Sequence, residues 1–335
     1  MVGIIDVAKK SGVSIATVSR VINKNKNVSA ETAKIVTDAI NELNYVPNRV
    51  ASSLRSAETK TIGLVIGDIT NPFYGQIAKG AENFLEKYEY SLLVVNTDYS
   101  IEKERIQIKK LLEKQVDAIL IASKEESPWD NLLQLSKGDI PMALIDTPVS
   151  KVPVDQILID SFETSYKATY ELIANGHRKI AIILGKPQYE GTQAKLDGYK
   201  RALNDYKINI DNNLIFYGEY SIQDGIKIGN NLIDLDLNPT AIFCTNNLMT
   251  QGILHSLKKK EIHIPKDVSL IGIDDMDWYN LLEYPLTTIS QPAFDMGGIA
   301  AERVLSRIRN KEVNTNPKKI ILPTKLIIRN SIKKL

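Results

Sequence analysis

Beyond residue 60 the chain alternates two hydrophobic patterns. Uniform apolar runs at 62–66, 92–96, 118–122, 142–146, 156–159, 179–184, 241–245 and 270–274 suit parallel strands covered on both faces. Between them, apolar positions at helical spacing predict helices over 74–88, 101–114, 162–175, 193–205, 223–233, 248–258 and 294–309. Strand and helix alternating this regularly imply a doubly wound α/β architecture, and residues 61–335 leave room for two such sheets with a cleft between them. Ligands in open α/β sheets bind outside the carboxyl ends of the strands. Those ends carry Asp68, Asp98, Ser123, Asp146, Asn246 with Asn247, and Asp274 with Asp275. Asp and Asn also suit strand-to-helix turns and N-caps, but a whole ring of them favours a polar pocket for a hydroxyl-rich ligand.

The first sixty residues follow another pattern, short helices separated by tight turns. Residues 4–14 read as a helix, a turn at Gly12 and an N-cap at Ser14, and 15–23 as a second helix. Ala8, Val13 and Val18 are spaced to form the small core of a helix-turn-helix, whose second helix enters the major groove of DNA. Thr17, Ser19 and Arg20 then lie on or beside its outer face, with hydroxyls for phosphates and bases and a guanidinium for guanine. A third helix from the N-cap Ser29 to about residue 44 buries Ala33, Val36, Ile40 and Leu43. Residues 49–55 form one more segment, too short to be a stable helix alone. It carries two Arg and an exposed Leu54, which either packs in a dimer contact or wedges between base steps of the minor groove.

Composition narrows the function. The formal charge of the 335 residues is only +2, but residues 1–60 hold nine Lys/Arg against five Asp/Glu. A small basic head on a near-neutral body points to an anionic partner for the head alone. The single Cys244 excludes a disulfide framework and a cysteine zinc cluster, and the three histidines lack metal-ligand spacing. Neither a metal nor a cofactor is expected. The N-terminus has no basic stretch leading into an apolar one, and no run of 18 apolar residues occurs, so a cytoplasmic protein without membrane partners is expected. No phosphate-binding glycine loop or Gly-x-Ser-x-Gly elbow is present, which argues against an enzyme. His177, after Gly176, reads as a helix C-terminal stop rather than a catalytic group. A secreted sugar-binding protein would account for the body but not the basic head, and a DNA-bending architectural protein for the head but not the cleft.

Taken together, Asp6-Val7-Ala8, Gly12-Val13-Ser14, Ala16-Thr17-Val18-Ser19-Arg20-Val21, Leu43-Asn44-Tyr45-Val46-Pro47-Asn48 and Val50-Ala51 to Leu54 form a specific set. With Asn71-Pro72-Phe73-Tyr74, Gly272-Ile273-Asp274-Asp275 and Pro285-Leu286-Thr287-Thr288-Ile289 in the body, the chain resembles the LacI/GalR family of bacterial transcriptional regulators along essentially its whole length. The resemblance implies an all-α helix-turn-helix head over 1–47, a hinge helix and linker over 48–60, and a core over 61–335 of two doubly wound α/β subdomains of the periplasmic-binding-protein type. The N-subdomain would take 61–160 and 292–320, the C-subdomain 161–291 and 321–335. It further implies a homodimeric repressor of carbohydrate-utilisation genes on a pseudo-palindromic operator, with a sugar-like effector in the cleft.

By the same resemblance, Ser14, Ile15, Ala16, Thr17, Ser19, Arg20 and Asn23 occupy recognition-helix positions, and Ser29, Thr32, Tyr45 and Asn48 anchor phosphates. Leu54, with Arg55 beside it, is the minor-groove lever. Ile15 and Ala16 are apolar, which suits contact with thymine methyls. Gly3 stands where the family usually has a capping Thr, so some helix capping is lost. The effector positions are Asp68, Asn71, Phe73, Asp98, Asp146, Lys195, Tyr220, Asn247, Asp274, Trp278 and Gln291. Two of them depart from the sugar-responsive pattern: Lys195 replaces the usual Arg and Asn247 the usual Asp, which weakens the two-pronged chelation of a sugar. A different sugar, a phosphorylated or acidic one, or a protein co-regulator are the alternatives, the last as in catabolite control by a phosphorylated carrier protein. No heptad extension follows Arg329, so a dimer is expected rather than a tetramer.

Overall fold

The computed structural model describes residues 2–22, 28–45, 58–122, 130–234, 237–311, 313 and 316–335. Two compact units make up the chain, Met1–Thr59 and Lys60–Leu335. In the first, helices α1 (Ile4–Ser11), α2 (Ile15–Ile22) and α3 (Ala30–Glu42) close around Val7, Ala8, Val18, Val36 and Ala39. Gly12 ends α1 in the left-handed conformation, φ 68°, which a residue without Cβ adopts freely. Ser14 then turns the chain into α2, its hydroxyl accepting from the Thr17 N–H at 3.2 Å, and Ser29 caps α3 through Thr32 in the same way. At Gly3, where no side chain can cap, Asp6 supplies half of the motif by accepting from the Gly3 N–H at 2.9 Å.

The second unit contains two six-stranded sheets. Its elements run β1 (Thr61–Ile66), α4 (Pro72–Glu86), β2 (Ser91–Asn96), α5 (Ile101–Glu113), β3 (Ala118–Ala122), α6 (Asp130–Ser136), β4 (Met142–Ile145), β5 (Asp155–Ile159), α7 (Ser161–Ala174), β6 (Ile180–Leu184), α8 (Glu190–Asp205), β7 (Ile215–Tyr217), α9 (Ile222–Asp234), β8 (Ala241–Cys244), α10 (Asn247–Lys259), β9 (Ser269–Ile273), β10 (Thr287–Ser290), α11 (Ala293–Asn310), β11 (Lys319–Leu322) and β12 (Lys325–Ile327). The first sheet is parallel throughout, in the order β11-β5-β4-β3-β1-β2; the second runs β12-β10-β9-β8-β6-β7 with only β12 antiparallel. The strand order reverses between β1 and β3 in one sheet and between β6 and β8 in the other, and a crevice opens outside the carboxyl ends at such points.

All eight expected strands are present, and β7, β10, β11 and β12 are additional. They are three or four residues long, and three of them lie at sheet edges, where one-sided burial leaves too short a pattern to read. In β10 Thr287 and Thr288 are buried with their hydroxyls satisfied, Thr287 accepting from the Arg329 N–H and Thr288 donating to Asp275. Two of the helices approach each other at close range. A Cβ at Gly80 would lie 1.9 Å from the Phe294 carbonyl oxygen and one at Gly297 2.0 Å from that of Ile77, so α4 and α11 pack backbone to backbone. His177 is buried between Thr240 and the Lys333 carbonyl, at 3.0 and 3.1 Å, and burial holds its pKa below the ordinary value.

One buried carboxylate ties α11 to the first sheet. Asp155, at the start of β5, accepts from Arg307 at 2.7 and 2.8 Å, from Arg303 Nε at 3.1 Å and from the Lys318 N–H at 2.7 Å. Burial opposes its charge, but the Arg307 guanidinium, the Lys318 N–H and Arg303 outweigh that and hold its pKa below the usual carboxylate value. A group held low contributes stability that is present above its unfolded pKa of about 3.9 and lost as the pH falls through the lower folded value. Asp155→Asn leaves Arg307 buried without a countercharge, and chemical denaturation should show a loss of about 3–5 kcal/mol at neutral pH. That loss should shrink below about pH 4 as the parent protonates too; a loss independent of pH would contradict the ion-pair assignment.

Candidate functional site

In the head, α2 presents Ile15, Ala16 and Arg20 to solvent with Ser14 just before them, while Thr17 and Ser19 are half-buried along its edge. Ile15 is 48% exposed, an unusual position for an isoleucine unless something covers it. Ser29, Thr32 and Tyr45 lie at the two ends of α3. Asn23, Asn48, Leu54 and Arg55, with the expected hinge helix, lie outside the described residues.

In the core, the carboxyl ends of the strands line two adjoining open pockets of about 340 and 420 Å³, the solvent at their mouths included, both bordered by Asp146, Lys195 and Tyr220. Of the sequence-derived effector positions, Asn71, Phe73, Asp146, Lys195, Tyr220, Asp274 and Gln291 border one or both. Asn247 is buried beside them. Its amide exchanges two hydrogen bonds with that of Asn71, Asn71 Nδ2 donating to Asn247 Oδ1 at 3.2 Å and Asn247 Nδ2 to Asn71 Oδ1 at 2.8 Å. Asn71 is the N-cap of α4, behind the first sheet's β1, and Asn247 opens α10, behind the second sheet's β8. Two helix N-termini from different sheets are thereby joined at the cleft. On the rim, the Ser150 N–H and hydroxyl both donate to Glu190 Oε1, at 3.1 and 2.9 Å, again from one sheet's loop to the other's helix.

Asp68, Asp98 and Trp278 are placed elsewhere. Asp68 accepts from the Thr70 N–H and hydroxyl, an Asx turn at the surface. Asp98 pairs with Lys103 and accepts from Asn96, and these partners hold its carboxyl below the ordinary value. Trp278 stacks obliquely on Tyr279, ring centroids 4.3 Å apart.

The cavity walls include residues that sequence reasoning missed. Tyr74, Tyr99 and Thr245 border the smaller cavity beside the strand-end Asn246 noted in the sequence, and Thr147, Ser161, Tyr189 and Thr192 border the larger. Tyr99 packs on the apolar clusters of both sheets and lies 5.7 Å from the Tyr220 ring, which in turn stacks on Tyr189 at 6.1 Å. Burial pushes the Tyr74 phenol well above its ordinary pKa, reinforced by Tyr99 and Asp146, so it stays a neutral hydrogen-bonding group. The available signal was position: these residues follow strand ends just as Asp98 and Asp146 do.

Local backbone geometry aims the walls. Tyr99, Asp146, Tyr220 and Asp274 have φ of 54°, 53°, 64° and 62°. Asp tolerates this region, but Tyr seldom enters it, and such strain costs on the order of 1–3 kcal/mol per residue. Surrounding contacts hold it: the Asp274 N–H donates to the Ile289 carbonyl at 2.8 Å, and Gln291 Nε2 donates to Asp274 Oδ1 at 2.7 Å. Next to it, Asp275 receives both Arg329 Nη groups, at 2.7 and 2.9 Å, which fixes the loop after β9.

Comparison with known proteins follows the same division. Residues 3–48 match the model for bacterial regulatory proteins of the lacI family, and residues 59–330 that for periplasmic binding proteins and the sugar-binding domain of the LacI family. The HTH-type transcriptional repressor PurR of Vibrio atlanticus is 37% identical over 93% of both chains. Catabolite control protein A of Priestia megaterium is 34% identical over 99% of both. Among solved structures, the lac repressor dimer bound to operator and the anti-inducer ONPF superposes with a TM-score of 0.87 over 99% of each chain at 24% identity, a likeness of fold. No helix of the described residues is long and apolar enough to cross a membrane, and no group of His, Cys, Asp and Glu among them could hold a metal ion.

A Cβ at Gly185 would lie 1.9 Å from the Tyr220 hydroxyl oxygen. Gly185→Ala alone should therefore cost about 1–3 kcal/mol by overpacking, and much less when Tyr220 is also Ala. Denaturation of the four proteins of this cycle checks it; additive losses would contradict the contact.

Proposed function

The chain belongs to the lacI family of bacterial DNA-binding transcriptional repressors, and on that premise we propose that it binds a pseudo-palindromic operator as a homodimer under the control of a sugar-like effector held in the core cleft. The regulated genes on this reading are those of carbohydrate utilisation, and the protein works in the cytoplasm. Ser14, Ile15, Ala16, Thr17, Ser19, Arg20 and Asn23 face bases and phosphates in the major groove, Ser29, Thr32, Tyr45 and Asn48 hold phosphates, and Leu54 with Arg55 enters the minor groove. Two heads on one dimer read half-sites a helical turn apart.

The observation that carries the effector reading is the meeting of Asn71, Asp146, Asp274, Gln291 and the Tyr220 ring around the pockets at the strand ends. Carboxylates and amides accept from and donate to hydroxyls, and an aromatic face covers the apolar side of a sugar ring. The match of residues 59–330 to a sugar-binding domain supports the same chemistry. An effector that prefers one arrangement of the two sheets shifts operator affinity by the ratio of its two affinities. A second reading, control by a phosphorylated carrier protein, is favoured by the likeness to catabolite control protein A along nearly the whole chain.

Thermal unfolding of the purified protein against free sugars, with and without a phosphorylated carrier protein, separates the two. A native-state ligand raises the melting temperature by mass action, and Asp274→Ala should abolish the sugar-dependent rise while operator binding persists. Arg20→Ala should do the reverse, costing about 1–3 kcal/mol of specific operator binding. A sugar response retained in Asp274→Ala would remove that residue from the site, and a response to the carrier alone would favour the second reading.

A further inference from the structure

The Asn71–Asn247 pair is a buried contact between the two sheets. Each residue is 3% exposed, and each amide donates to the other, at 3.2 and 2.8 Å. The rim contact from Ser150 to Glu190, by contrast, is exposed to water. Backbone donors fix which way each amide points. The Phe73 N–H donates to Asn71 Oδ1 at 3.0 Å, and the Leu248 N–H donates to Asn247 Oδ1 at 2.7 Å. An amide oxygen has two lone pairs, so both oxygens are saturated, one lone pair by the first turn of its own helix and the other by the partner across the cleft. The pair is complete without a ligand.

This completeness requires an amide on both sides. A carboxylate at position 247 could still accept from Leu248 and from Asn71, but it has no hydrogen to give. Its second oxygen would then face Asn71 Oδ1 where a donor and an acceptor now stand 2.8 Å apart. Two acceptors at that distance repel, and burial denies them water. Asparagine at 247 therefore lets the sheets meet with neither a ligand nor a proton between them.

We propose that Asn71 and Asn247 form a latch that holds the two sheets together in the unliganded protein, so that the regulator rests in its closed arrangement. An effector does not have to draw the sheets together. A ligand that donates to either amide oxygen must first displace the partner across the cleft, and so acts by releasing the latch.

Asn247→Asp and Asn247→Ala supply the test, since both keep the Asn71 cap on α4. Cysteines introduced at two exposed sites, Lys114→Cys beyond α5 and Asn204→Cys in α8, carry spin labels, while Cys244 is buried. Pulsed dipolar spectroscopy of the full-length protein without ligand, labelled chains diluted in unlabelled ones, reads the distance within one chain. At about pH 8 and about pH 5 the parent should show one and the same distance population. Asn247→Asp should show a displaced population at the higher pH and the parent's at the lower, where burial has raised the introduced carboxyl above its ordinary pKa and its proton supplies the missing donor. Asn247→Ala should be displaced at both. Asp146, Asp274, Lys195 and the tyrosines of the smaller pocket are common to all three proteins, and the parent controls for their titration. The parent's distance retained in both variants at the higher pH, or a displacement in Asn247→Asp that the lower pH leaves in place, would overturn the latch. On the control mechanism proposed above, Asn247→Asp also changes operator affinity about fivefold or more at the higher pH with no ligand present. A displaced population with operator affinity unchanged would overturn that mechanism and leave the latch standing.

Discussion

Tyr99 and Tyr220 meet across the cleft, and both can do so only because glycine stands beneath them. A Cβ at Gly67 would come within 2.3 Å of the Tyr99 ring, and one at Gly185 within 1.9 Å of the Tyr220 hydroxyl oxygen. Gly67 follows β1 and Gly185 follows β6, the strands beside which the two sheets reverse their order. The same topological feature thus opens a crevice in each sheet and seats in it a tyrosine that touches its counterpart from the other sheet. The Asn71–Asn247 amide pair and the Ser150–Glu190 contact then join the sheets at the floor and rim. These contacts across the cleft are polar and aromatic, of the kind that a shift between two arrangements of the sheets can break and remake.

The rest of the core supplies rigidity on either side of that contact. Asp155 clamps α11 to the first sheet through two arginines, and Asp275 with Arg329 fixes the loop that carries Asp274. Both carboxylates are held low in pKa by their guanidinium partners against the opposing effect of burial. A ligand bridging the sheets therefore acts on two stiff bodies. In the proposed mechanism its differential affinity for their two arrangements is the only source of regulatory free energy.

Long parallel strands were legible in the sequence because burial on both faces leaves runs such as Ala118–Ala122 and Ile180–Leu184 without a polar break. The short edge strands were not, since three residues such as Lys325–Ile327 carry no period. In the site, Asn71, Asp146, Asp274 and Gln291 could be named from family positions, whereas Tyr99 and Tyr189 could not, because a tyrosine after a strand looks the same whether it packs or lines a cavity. Asp68 and Asp98 show the converse. Each has the right place in the chain, but nearby Thr70 in one case and Lys103 with Asn96 in the other satisfy the carboxylate locally.

The most direct measurement is the operator affinity of the full-length protein by fluorescence anisotropy with and without a saturating saccharide effector, paired with the saccharide affinity of the free and operator-bound protein. Linkage requires the two ratios to be equal, and a coupling of about 5- to 150-fold is the usual range for such proteins. Equal ratios well above or below one would show that cleft and head share one equilibrium. A saccharide that binds the cleft and leaves operator affinity unchanged would contradict it.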